Sequence, residues 1–128
     1  MRHHLLLLAL LATLPPVPAL AGGPAFWVTD TAICDALRGG TGSEVAIGDF
    51  DVLALDATGY SGLEFRCTFE PMLDLNAPDG SISTHVGYCE EPGFIAPQLF
   101  TFRIERWESP RVTLYDGADT PLVFFACP

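Results

Sequence analysis

The chain has 128 residues, six Arg and no Lys against sixteen Asp plus Glu, and a formal net charge of −10. That balance excludes a surface that holds nucleic acid or anionic lipid by charge, because phosphate groups require cations. Nine Phe, three Tyr and two Trp supply enough apolar surface for a core and exclude a disordered chain, despite eleven Pro and twelve Gly.

The N-terminus reads as a secretory leader. Met1, Arg2, His3 and His4 form a short basic start, and residues 5–14 are almost pure Leu and Ala. Pro15, Pro16 and Pro18 follow, then the small-x-small triplet Ala19-Leu20-Ala21. This is signal-peptide anatomy, and it predicts cleavage after Ala21, with cleavage after Ala19 as the alternative. A membrane-spanning helix needs about 20 apolar residues, twice the length of this run. No cysteine stands at the junction to carry a lipid. The expected organisation is therefore a signal peptide at 1–21 and one domain at 22–128, with no membrane anchor after cleavage. The mature domain has 107 residues, and its five Arg against sixteen acidic residues give a net charge of −11.

Residues 25–28 form a short apolar run with Trp27, expected as an edge strand. Thr29, Asp30 and Thr31 offer helix caps, and Ile33 and Leu37 share a helical face, so one short helix carrying Cys34 is predicted, stopped by Gly39 and Gly40. Residues 39–43 read as a flexible loop. Residues 44–55 are strand-like, broken at Gly48-Asp49, and residues 56–59 form a turn. Leu63, Phe65, Cys67 and Phe69 then alternate with Glu64, Arg66, Thr68 and Glu70, a strand with one face to the core and one to water. Pro71 ends it, and residues 76–80 hold Pro and Gly where a turn needs them.

Ile82, Thr84, Val86 and Tyr88 alternate with Ser83, His85, Gly87 and Cys89, and residues 90–93 turn the chain again. Phe100, Phe102 and Ile104 alternate with Thr101, Arg103 and Glu105 as a half-buried strand. Residues 112–115 and 122–127 are two further strands, separated by the turn 116–119. Phe124 and Phe125 fall on opposite faces of the last one, which predicts cover on both sides. Short strands at this spacing predict a mainly β fold, a small antiparallel barrel or sandwich with one short N-terminal helix and two disulfides.

The four cysteines are Cys34, Cys67, Cys89 and Cys127. Their even number, all beyond the leader, predicts two disulfides in an oxidising compartment. A four-thiolate zinc site would bring its ligands in close pairs, whereas the separations here are 33, 22 and 38 residues. If the chain reverses near Pro78, Cys67 meets Cys89 across a hairpin and Cys34–Cys127 ties the ends of the domain. The rival set is Cys34–Cys67 with Cys89–Cys127.

No catalytic residue, cofactor or metal ligand set stands out. His85 is the sole histidine of the mature chain and lies mid-strand, on the face opposite Ile82 and Val86, without a G-x-S-x-G element. It is expected at the surface or a pocket rim. Glu90 and Glu91 are adjacent, so on a strand they point to opposite faces. Asp49 and Asp51 would share a face, but the ordered oxygen ligands of a calcium loop are absent. Gly39-Gly40-Thr41-Gly42 lacks the Lys of a phosphate loop, and Asn76 opens no glycosylation sequon.

The segment Gly87-Tyr88-Cys89-Glu90-Glu91-Pro92-Gly93, with Gly62-Leu63-Glu64-Phe65-Arg66-Cys67 before it, resembles small secreted two-disulfide bacterial proteins of unknown function. The resemblance implies no activity. Absence of Lys beside abundant Ala, Gly, Arg and Pro also suggests a GC-rich bacterial source. The expected function is a non-enzymatic binding or inhibitory module, monomeric, acting on a basic protein in the periplasm or outside the cell. Its expected functional surface is Glu90, Glu91, Tyr88 and His85. The alternatives are an envelope accessory protein without a single ligand and, last, a carboxylate-dependent hydrolase or calcium-binding protein.

Overall fold

A computed structural model of the protein describes residues 26–39 and 52–128. The leader, Ala25, the 40–51 stretch and its Asp49 and Asp51 lie outside the described residues. Eight strands are described: β1 (Trp27–Val28), β2 (Ala54–Leu55), β3 (Gly59–Gly62), β4 (Phe65–Glu70), β5 (Ile82–Glu91), β6 (Phe94–Glu105), β7 (Arg111–Tyr115) and β8 (Leu122–Ala126). Each pairs antiparallel with the next, and β1 also pairs with β8, Trp27 lying opposite Ala126. The sheet therefore closes into a barrel, and residues 27–28 have partners on both sides instead of forming an edge.

Eight strands enclose just enough space for side chains to fill. Phe69, Phe100, Phe102, Leu114 and Phe124 fill it here, with the Tyr60 ring against Phe100 and Phe124. Residues 71–81 cross one end of the barrel. Leu73 enters the core, and Arg106 holds the segment by donating to the Leu75 and Ala77 carbonyls at 2.5 and 2.7 Å. The β3–β4 hairpin turns on Leu63 and Glu64, with Glu64 in the left-handed region (φ 53°). β4 accordingly starts at Phe65, and Leu63 is exposed instead of lining the core.

On the outer wall, a 3₁₀ turn (Thr31–Ile33) runs into helix α1 (Cys34–Arg38). Asp30 caps it by accepting the Ala32 N–H at 2.9 Å. Ile33, Cys34 and Leu37 pack on Val28, Val52 and Cys127 as a second small core outside the barrel. The Cys34–Cys127 disulfide fastens this helix to the end of β8, with Cα atoms 5.5 Å apart. The second disulfide joins Cys67 and Cys89, which face each other directly across β4 and β5. Phe124 is fully buried, whereas its neighbour Phe125 is only half covered, in a cleft with Thr29, Pro110 and Pro128. Among the described residues, no helix is long and apolar enough to cross a membrane.

The β5 strand inverts the expected side of its alternation. Ile82, Val86 and Tyr88 point to solvent, while Ser83, His85, Gly87 and Cys89 point inward. Cys89 and Gly87 both constrain this phase. Cys89 must share the face of Cys67 to bond with it. Gly87 lies against the β4 backbone, where no side chain fits.

Candidate functional site

Three places gather the chemistry. The first is a cleft of about 540 Å³ at the barrel rim, between the β3–β4 turn and the tip of the β5–β6 hairpin. It is lined by Glu64, Phe65, Arg66, Glu90, Glu91 and Pro92, among others. Glu90 and Glu91 are both exposed and, as adjacent strand residues, diverge. Arg66 faces Glu90 in the strand register, yet its guanidinium turns away, donating to Thr58 Oγ1 at 3.2 Å and reaching Asp56 Oδ2 at 3.5 Å. Glu64, Glu90 and Glu91 have no ion-pair partner among the described residues.

Asp56, which engages Arg66, organises the β2–β3 turn. Its Oδ1 accepts from the Thr58 N–H and hydroxyl, both at 2.6 Å, and from the Gly59 N–H at 3.0 Å. Partial burial pushes its pKa up, but the Thr58 and Gly59 donors and the Arg66 charge outweigh that and hold the carboxyl below its ordinary range.

The second place surrounds His85. The expectation of a surface or rim histidine is corrected: the side chain is 3 % exposed, edge-on to the Phe69 and Phe102 rings at 5.5 and 5.4 Å. Its Nδ1 stands 2.5 Å from the Pro71 carbonyl oxygen and its Nε2 stands 2.8 Å from Ser83 Oγ. A carbonyl only accepts, so Nδ1 carries a proton, and in the neutral imidazole Nε2 then accepts from the Ser83 hydroxyl. A serine–imidazole pair held by a third group has the connectivity of a nucleophile and its base. Here the imidazole is enclosed by aromatic rings inside the barrel, and the pair ties the 71–81 segment to β5. This is a satisfied core histidine.

The third place was not legible as a surface. On the outer face of β4, β5 and β6 the register aligns Glu70, Val86 and Leu99 in one row, Thr68, Tyr88 and Pro97 in the next, and Arg66, Glu90 and Ile95 in the third. Val86, Leu99 and Ile95 are each more than 60 % exposed, and Met72 and Tyr115 extend the apolar surface to either side. A signal for it was present in the sequence: once Cys67 and Cys89 are paired, Val86 and Tyr88 must leave the core face. Among the described residues, no group of three or more His, Cys, Asp and Glu is placed to hold a metal ion. Of the expected functional surface, Tyr88 and Glu90 share the outer face of β5, Glu91 is exposed at the rim cleft, and His85 does not join them.

Comparison of this chain with protein-family models, curated proteins and solved structures finds no match.

Proposed function

We propose that the protein is an exported, non-enzymatic binding module that recognises a basic protein in the periplasm or outside the cell. The observation that carries this reading is the rim cleft. Glu64, Glu90 and Glu91 line it in water, and among the described residues none of them has an ion-pair partner, the Arg66 guanidinium of the same cleft being turned to Asp56, so their charge is available to an incoming Arg or Lys. Catalytic carboxylates work from a desolvated pocket that sets their protonation, whereas Glu90 and Glu91 are solvent-exposed. The barrel supports the same role, since two disulfides and a closed sheet give a rigid scaffold that loses little freedom on binding. The basic, leucine-rich start and the two disulfides support the export part of this reading.

The test is capture from envelope extract on the immobilised, disulfide-bonded protein at low and high salt. Basic proteins should be retained at low ionic strength, released as salt rises, and retained less by the Glu90→Gln/Glu91→Gln variant. Retention of acidic proteins only, or binding indifferent to salt, would overturn the reading.

A further inference from the structure

We infer that the outer face of the β5–β6 hairpin, centred on Val86 and Leu99, is the surface onto which that basic protein docks. The inference rests on the binding reading above and adds the place and chemistry of contact.

The face has the composition of an interface centre. Val86 and Leu99 are directly paired across the strands, with Tyr88 and Pro97 beside them. All of these side chains point away from a core that is already filled by Phe69, Phe100 and Phe102. Exposed apolar groups clustered in this way, with carboxylates at the edge, match the anchor-and-rim pattern of protein contacts. Its support is stiff, because the Cys67–Cys89 disulfide and the close β4–β5 approach at Gly87 lie directly behind it.

Charge selects the occupant. Glu70 sits beside Val86, and Glu90 beside Ile95, and neither has an ion-pair partner among the described residues. The two cations at the margin are already engaged, Arg66 by Asp56 and Arg103 by Glu105. The net field over the patch is therefore negative. A second copy is a poor occupant, since a two-fold contact through this face would bring the same uncompensated carboxylates together on a chain of net charge −10. Anionic lipid is repelled for the same reason. Strand addition to the free edge of β6 is blunted by Pro97. Its ring nitrogen has no proton to donate, and residues 94–100 pair with β5 alone. What remains is side-chain docking by a protein with an apolar centre and a basic rim.

The experiment places the photo-reactive residue p-benzoylphenylalanine at position 86, 99, 92 or 109 of the disulfide-bonded protein. Each form is irradiated in envelope extract of the source organism, and the adducts are identified by mass spectrometry. Positions 86 and 99 should join one basic protein, with little adduct from 109 at the barrel's opposite end. Adding Leu99→Asn to the position-86 form should cut the yield about tenfold, the loss expected for an interface anchor. Unchanged melting of that variant would show that the fold is intact. Adducts of the basic protein from 92 or 109 only would overturn the surface and keep the binding reading. Self-adducts, lipid adducts or acidic proteins from 86 and 99 would overturn the surface as well. No basic protein from any of the four positions would overturn both.

Discussion

Gly87 stands so close to Thr68 that a Cβ placed on it would lie 1.9 Å from the Thr68 carbonyl oxygen. The contact is with backbone, so nothing flexible can move aside. Here β4 and β5 press together between the disulfide and the buried histidine, and only a residue without a side chain fits. Gly87→Ala should therefore destabilise the protein by about 3 kcal/mol or more, since β4 must shift to admit the methyl group. Gly93→Ala is the control. Gly93 sits at φ +79° in the hairpin turn with open space around it, so only backbone strain of about 1 kcal/mol is expected. Urea midpoints of the two variants check the contrast.

His85 should prove structural. In His85→Leu the Pro71 carbonyl and the Ser83 hydroxyl each lose a partner. A cost of about 2–4 kcal/mol is expected from two orphaned polar groups near the core, partly offset by the apolar replacement. Ser83→Ala, which leaves the bond to Pro71 in place, should cost about 1 kcal/mol. Equal and negligible losses in both variants would remove His85 as the tie between β5 and the 71–81 segment.

Tyr60 gives the protein an alkaline limit. Burial, and secondarily the Asp116 carboxylate, push its phenol up to about 12 from an ordinary 10.0. The folded state thus keeps the proton where the unfolded chain releases it. The contribution is complete below pH 10 and is lost as pH rises towards 12, because the unfolded chain there binds fewer protons than the native one. Wild type should lose about 1 kcal/mol more than Tyr60→Phe between pH 9 and pH 11, read from urea unfolding at each pH.

The two disulfides should differ in weight. The loop-entropy account assigns about 3 kcal/mol to Cys67–Cys89 and about 5 kcal/mol to Cys34–Cys127, because they close 22 and 93 residues. The measurement is the unfolding free energy of each double Cys→Ala variant against the wild type. A smaller loss for the Cys34–Cys127 pair would mean that the helix detaches from the barrel wall before the barrel opens.

The period of the strands was legible in the sequence, and their facing was legible only in part. In β6, Phe100, Phe102 and Ile104 alternate with polar residues, so hydrophobicity alone finds the inner face. In β5 the apolar set Ile82, Val86 and Tyr88 alternates with Ser83, His85, Gly87 and Cys89, and the hydrophobicity rule selects the wrong side. Three requirements outweigh it: a sulfur bond to Cys67, room for bare backbone at Gly87, and a buried imidazole whose nitrogens are both satisfied. The cysteine pairing was legible because Pro78 and Gly80 mark the reversal between the two strands. The closure of β1 on β8 was not, since a two-residue strand carries no periodicity. The rim carboxylates Glu90 and Glu91 were legible as exposed neighbours. Glu64 joined them only through a hairpin turn that the alternation of residues 63–70 had hidden.

That inversion makes a sharp stability prediction for Val86 and Leu99. Both are apolar residues in the middle of strands, where truncation or a polar swap ordinarily costs several kcal/mol. Both also point outward, 61 % and 63 % exposed, with no core atoms to abandon. Val86→Asn and Leu99→Asn should therefore each change the unfolding free energy by less than about 1 kcal/mol, the loss being confined to strand propensity and their mutual contact across the ladder. Phe100→Ala, one position further along the same strand but fully buried, should cost about 3–5 kcal/mol. Chemical denaturation of the three variants decides the matter. A loss at Leu99 as large as that at Phe100 would mean that the alternation runs the other way, and the docking face would vanish with it.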